Sequence, residues 1–294
     1  MEIRTLRQED VHEVANIWKN IFEESDCFVK WLFTHRFYPA YSSCVEERGH
    51  IISVIHGMPL PLRFQGKIFQ GAMICGVATL PAYRGHGLMK KLMTYEMALL
   101  REHGIQLVTQ TPVDPAIYYS CDQYPCTKTA HFVYEKRGNP VPALRDFDLD
   151  VALATYRHFA GRYNGIVWRD KGLMQLKTDD YLSDGIQPYM LESGAYCFAE
   201  LKAGGMAECQ ELAYFNEDEV SMLLEAIPAH TVTGRLPADF INTKICMKWS
   251  VRKHAVLYPL DEEITTGILD VALSPGRKME RLCEGLNCFI WEEY

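Results

Sequence analysis

The chain has 294 residues, 48% of them hydrophobic and 23% charged, which gives length for two domains of ordinary size and apolar residues for a sizeable core. Its formal net charge of −8 argues against nucleic acid or an anionic membrane surface as main partner and suits a cationic substrate such as an amine. Met1-Glu2-Ile3-Arg4 opens directly into a strand-like segment and no apolar run approaches a membrane span, so the expectation is a cytoplasmic protein without a secretory signal, its ten cysteines kept as thiols.

In chain order, residues 2–6 predict a strand. Gln8-Glu9-Asp10 places acids where a helix begins, and Val11, Val14, Trp18 and Ile21 recur at helical spacing. Residues 27–38 form a second amphipathic stretch rich in aromatics, suited to core or to the wall of a cleft. Residues 43–47, 50–58 and 60–64 predict successive strands, the last turning through Gln65-Gly66-Lys67 into 68–79. An antiparallel meander therefore leads to a central strand.

Pro81 stops that strand, Arg84-Gly85-His86-Gly87 follows, and an amphipathic helix begins at Leu88. Leu88, Leu92, Tyr95 and Leu99 form one row and Met89, Met93 and Leu100 the next, while Lys90, Lys91, Thr94 and Arg101 fall opposite. A helix that starts out of a glycine-bearing loop leaves its first N–H groups unpaired, and these, with the positive end of the helix dipole, favour an anion. Gly85 and Gly87 remove Cβ atoms where a phosphate must approach the backbone, and Arg84 adds a charge that pairs with it. A nucleotide-like cofactor is implied. The segment has neither the Gly-Lys-Ser/Thr ending of a P-loop nor a G-x-G-x-x-G pattern.

The stretch closely resembles the cofactor motif of the GCN5-related N-acetyltransferases (GNAT), Gln/Arg-x-x-Gly-x-Gly/Ala after the fourth strand, with Arg84, Gly87 and Met89 at its three positions. Met89 departs from the small residue of the pattern. The resemblance implies that Arg84, Gly85, His86, Gly87, Leu88 and Met89 hold the pyrophosphate of acetyl-CoA as co-substrate, and that Val77, Ala78 and Thr79 line its pantetheine arm. It also implies an α/β fold over residues 1–137, a GNAT-type mixed, mostly antiparallel sheet flanked by helices.

Past His103-Gly104, residues 105–111 predict a buried strand parallel to the central one, 115–119 a short helix, and 132–136 a closing strand. Between them, Tyr118 to Tyr124 parallels the family's Phe-Tyr-x-x-x-Gly-Phe. That places Tyr119 at the position of the general acid which protonates the departing CoA thiolate, with Tyr118 its nearest competitor and Gln123 in place of glycine.

Gly138-Asn139-Pro140-Val141-Pro142 predicts a linker over 138–147, followed by a second α+β domain over 148–294. Residues 149–160 and 217–226 read as helices, and 186–191, 195–201, 208–214, 232–236, 246–251 and 267–273 as strands. That order is like the first domain's, as in a degenerate GNAT-like fold, but Asn216-Glu217-Asp218-Glu219 is acidic and lacks glycine where a CoA-pyrophosphate loop would fall. The pairing resembles acetyltransferases of the enhanced-intracellular-survival (Eis-like) type and their shorter bacterial relatives.

Acetyl transfer to an amine needs a polarised thioester carbonyl, a deprotonated ammonium and a protonated leaving thiolate. The resemblance gives the first task to a backbone amide, Val77 or Ala78, and residues 70–80 supply no Asp, Glu or His for the second. Larger enzymes of this type use their own C-terminal carboxylate. The ending Cys288-Phe289-Ile290-Trp291-Glu292-Glu293-Tyr294 is apolar then acidic, which nominates the Tyr294 carboxylate as base and Glu293 as the alternative.

Several residues invite sharper readings than they carry. Cys121, Cys126 and His131 lack a fourth ligand, so no metal is expected. Cys75 inside an apolar strand reads as an inert thiol, His35 and His56 as cleft, core or surface, and Glu96 among apolar rows requires a buried partner or the cleft. The expected function is an N-acetyltransferase moving the acetyl group of acetyl-CoA directly to a primary amine of a small molecule or peptide. The rival is a catalytically silent acyl-CoA-binding sensor or interaction protein, and a homo-oligomer is left open.

Overall fold

The meander ahead of the central strand forms in the computed structural model as β1 (Glu2–Thr5), β2 (Ser43–Glu47), β3 (His50–Phe64) and β4 (Lys67–Thr79), each antiparallel to the next. Residues 137, 139–140, 241–244, 246, 269–271 and 293–294 lie outside the described structure. Two helices, α1 (Val11–Phe22) and α2 (Asp26–His35), fill the connection from β1 to β2. The segments expected as two strands, 50–58 and 60–64, are one: Pro59 and Pro61 fix a φ that an extended chain accepts, and pairing with β4 runs through both, from Ser53 to Phe64.

The helix α3 (Leu88–Glu102) follows β4 and buries Leu88, Leu92, Met93, Met97, Leu99 and Leu100, with Lys90, Lys91, Thr94 and Arg101 in solvent. Each such apolar side chain contributes about 1.5–3 kcal/mol on burial. Its buried face packs against Val45, Ile55, Ile74 and Val108 in one core. β5 (Leu107–Gln110) then returns parallel to β4, shorter than the expected 105–111.

The chain divides into two units, Met1–Cys126 with His254–Leu286 and Glu292, and Thr127–Lys253 with Asn287–Trp291. The strand expected to close the first sheet, 132–136, is instead β6 (Lys128–Glu135) and pairs within the second. The division therefore comes at residue 126, before the glycine- and proline-rich stretch read as a linker.

The second unit continues with β7 (Leu144–Arg145), α4 (Leu149–Ala160), β8 (Ile166–Val167), α5 (Lys171–Ser183), β9 (Gln187–Leu191), β10 (Tyr196–Lys202) and β11 (Met206–Ala213). It ends with α6 (Asp218–Ala226), β12 (Thr231–Pro237) and β13 (Met247–Lys253). Its sheet runs β13-β6-β12-β11-β10-β9-β7, with β11 and β12 parallel and joined by the crossover that contains α6. A register shift lies between β10 and β11 at Phe198/Ala199, so the β10-β11-α6-β12 run repeats the pattern of β3-β4-α3-β5. Where the first unit has a glycine loop, the carboxylate of Glu219 accepts from the amides of Phe215 and Asn216 at 2.8 and 3.1 Å. Phe289 and Trp291 of the C-terminal run are buried in this unit's core against Phe159.

The return segment supplies β14 (Val256–Pro259), antiparallel to β5, and α7 (Pro275–Cys283). Neither was expected. The strand expected at 267–273 is absent from residues 267–268 and 272–273, and its centre lies outside the described residues.

Candidate functional site

The register of β3 against β4 slips by one residue, so that Gly76 and Val77 together oppose Ile55. Gly76 takes φ +55°, which L side chains rarely adopt, and a Cβ there would overlap the indole of Trp18. Pairing of β4 with β5 stops at Met73 and Thr109, and the two parallel strands part beyond it. A cavity of about 420 Å³ lies here, walled by Ile74 to Val77, by Gln110 to Asp114, by Ile117 and Tyr118, and by Trp18, Phe22 and Glu24. Of the three residues expected to line a pantetheine arm, Val77 is in this wall; Ala78 and Thr79 follow it on β4.

The loop after β4 is exposed from Arg84 to Gly87. Gly85 and Gly87 hold φ of +82° and +69° with nothing among the described residues within 4 Å of either missing Cβ, and Gly87 caps α3 without a side-chain cap of its own. The Arg84 guanidinium donates from Nε to the carbonyl of Thr79 at 3.0 Å, tying the loop to the end of the strand. His86 is 3.2 Å from the Tyr83 carbonyl. Leu88 is buried and Met89 half-buried in the first helical turn. An uncovered helix N-terminus with room over its glycines fits a pyrophosphate.

The two tyrosines after β5 separate. Tyr118 is buried, lines the cavity, and has its phenol pushed up to about 12 by burial. Tyr119 is 46% exposed and stacks on Tyr124 with ring centroids 5.3 Å apart. Gln123, in place of the family's glycine, is buried and accepts at Oε1 from Gln110 Nε2 at the end of β5. The left-handed conformation falls to Asp122 at φ +60°, whose carboxylate accepts from the Gly276 amide at 2.9 Å and from the Ser274 hydroxyl. Arg277 of α7 lies 3.6 Å over the Tyr124 ring, so the expected catalytic turn is buttressed from the return segment.

Other candidates find other roles. His56 is buried among Trp18, Phe33 and Phe37 and donates from Nε2 to the Arg36 carbonyl at 2.9 Å, its imidazole pushed down to about 4 by burial. Burial pushes the Cys75 thiol well up, which keeps it protonated. Cys121 is half-buried, and Cys126 is buried in the first unit with its amide bonded to Ala255. His35 is exposed. Tyr294, the expected base, and Glu293 lie outside the described residues.

Glu96 does find a buried partner: the Ser43 hydroxyl donates to Oε2 at 2.5 Å, and burial pushes the carboxyl up to about 8. Folded chains then bind a proton that unfolded chains release above the ordinary carboxylate range, so this group's contribution to stability declines from about pH 5 to pH 8. Glu96→Gln is expected to flatten that decline in thermal melts across the interval. A slope identical to the parent's contradicts the assignment.

Sequence reasoning missed Glu24. It stands between Glu23, whose left-handed φ of 59° ends α1, and Ser25, which accepts from the Phe28 amide to start α2. Two helix-terminus signals so close together make a tight corner, and that corner carries Glu24 to the cavity wall.

Residues 2–124 match the model of the acetyltransferase (GNAT) domain family. This stretch is a GNAT domain. Solved structures similar to the chain include a probable N-acyltransferase from Enterococcus faecalis at 16% identity, covering 90% of this chain and 73% of that one with a TM-score of 0.71. Eis1 from Mycobacterium abscessus follows at 14% identity, 90% and 75% coverage and 0.69, and a GCN5-related N-acetyltransferase from Kribbella flavida at 15%, 90% and 72%, and 0.67. At such identities the likeness is one of fold, and it extends across both units. No curated protein matches the sequence. In the GNAT domain the bulged strand, the parting of β4 from β5 and the glycine loop all fall within the matched residues.

Proposed function

We propose that the chain transfers the acetyl group of acetyl-CoA directly to a primary amine. The observation that carries this is the cavity between the parted ends of β4 and β5, on the strand that leads into the open N-terminus of α3. Pyrophosphate on the loop from Arg84 to Met89 and pantetheine along Val77, Ala78 and Thr79 would bring the thioester to the cavity. The amides of Val77 and Ala78 are the donors proposed for its carbonyl.

The amine nitrogen attacks the carbonyl carbon, the carbon–sulfur bond breaks, and two protons move. Glu24, directly or through a water, takes the proton the amine loses, and the Tyr119 hydroxyl gives one to the departing sulfur. Asp114 also lines the cavity, but its Oδ1 accepts from the Ala116 amide at 2.9 Å. Glu24 is the base proposed here, with Asp114 as the second candidate.

Tyr119→Phe is expected to lower kcat by about 10²-fold while acetyl-CoA affinity holds, measured by thiol release and by calorimetry. A loss confined to Tyr118→Phe would move the role to the buried neighbour. Acetyl-CoA bound without turnover of any amine would favour the silent acyl-CoA sensor.

A further inference from the structure

We infer that the acceptor is a small primary amine carried on an apolar body, an arylalkyl or alkyl monoamine, and not a polycationic one. This rests on the acyltransferase reading and names the substrate class of the same cavity.

The cavity divides by chemistry. Its deep wall includes Trp18 and Ile74, 1% and 2% exposed, and its rim carries Phe22, Ile117 and Val113, which are 37%, 55% and 107% exposed. Three large apolar side chains standing in water around one opening mark a surface that a ligand covers. Carboxylates reach the cavity from Glu24 and Asp114, and among the described residues no lysine or arginine lines it. The site thus offers negative charge for one ammonium and apolar surface for what the ammonium is attached to.

A polyamine or an amino sugar would lay further charged groups and hydroxyls against Phe22, Val113 and Ile117, whose side chains accept no hydrogen bonds; each group so desolvated opposes binding. Size points the same way. About 420 Å³ is near the low end for small-molecule sites, and the acylated end of the cofactor shares it.

The test compares kcat/KM by thiol release for 2-phenylethylamine and hexylamine against spermidine and kanamycin, with acetyl-CoA binding followed separately by calorimetry. The apolar amines are expected to lead by about tenfold or more, and the double variant Phe22→Ser/Ile117→Ser to raise KM for 2-phenylethylamine by about tenfold. Both side chains are exposed, so melting should stay near the parent's. Preference for spermidine or kanamycin overturns this inference and leaves the acyltransferase standing. So does a double variant that alters preference between acetyl-CoA and octanoyl-CoA and not between amines, since the apolar rim then serves the acyl chain. No binding of acetyl-CoA overturns the acyltransferase reading, and this inference with it.

Discussion

Glu24→Gln is expected to lower kcat/KM for amine acetylation by about 10²- to 10⁴-fold, the range a positioned general base contributes, with acetyl-CoA affinity retained. The amide keeps the shape and hydrogen-bonding reach of the carboxylate but takes no proton from the amine. Thiol release across a pH series checks it, because the loss should shrink where the free amine becomes the major species. A short C-terminal extension after Tyr294 separates the rival. If the extension abolishes turnover and Glu24→Gln does not, the base is the terminal carboxylate. If the reverse holds, Glu24 is the base.

The second large effect lies in the other unit. Glu211 stands on β11 just past the register shift, fully buried, paired to Arg169 through two bonds of 2.7 and 2.8 Å and accepting from Tyr196 and Tyr181 at 2.7 and 3.2 Å. Arg169 also lies 4.1 Å over the Tyr156 ring. Burial alone would push this carboxyl up, yet Arg169 and Tyr196 outweigh it and hold the group below its usual range. Glu211→Gln leaves the Arg169 charge buried and uncompensated, and is expected to destabilise by about 3–5 kcal/mol in urea or thermal unfolding. Because the folded value is depressed, the stabilisation is present above the ordinary carboxylate pKa and is lost as the pH falls through the depressed value. The variant should therefore lose the corresponding part of the parent's acid sensitivity. Stability within about 1 kcal/mol of the parent would show that the pair contributes little beyond its own desolvation.

The first unit was legible where local rules act alone. The α3 rows were set by 3.6-residue periodicity, the end of β4 by Pro81, and the cofactor loop by Gly85 and Gly87, whose positive φ only glycine adopts at no steric cost. Sheet membership was not legible, because it depends on pairing between segments far apart in sequence. The alternation Ala130, Phe132, Tyr134 buries the same side chains whichever sheet receives β6, and the four residues of β14 are too few to announce a partner 146 positions upstream at Gln110. Glu24 was hidden in the run Glu23-Glu24-Ser25-Asp26, which reads as a solvated acidic corner until the two helix caps on either side are recognised. Gln123 in place of the family's glycine did not disclose its role; the structure shows the left-handed residue to be Asp122 and gives Gln123 a buried bond to Gln110.

The most direct test of direct acetyl transfer is mass spectrometry of the protein and of 2-phenylethylamine after incubation with acetyl-CoA. One acetyl group on the amine for each CoA thiol released, with the protein unmodified throughout, is the expected result. Stable acetylation of the protein, or thiol release with the amine unchanged, would contradict it.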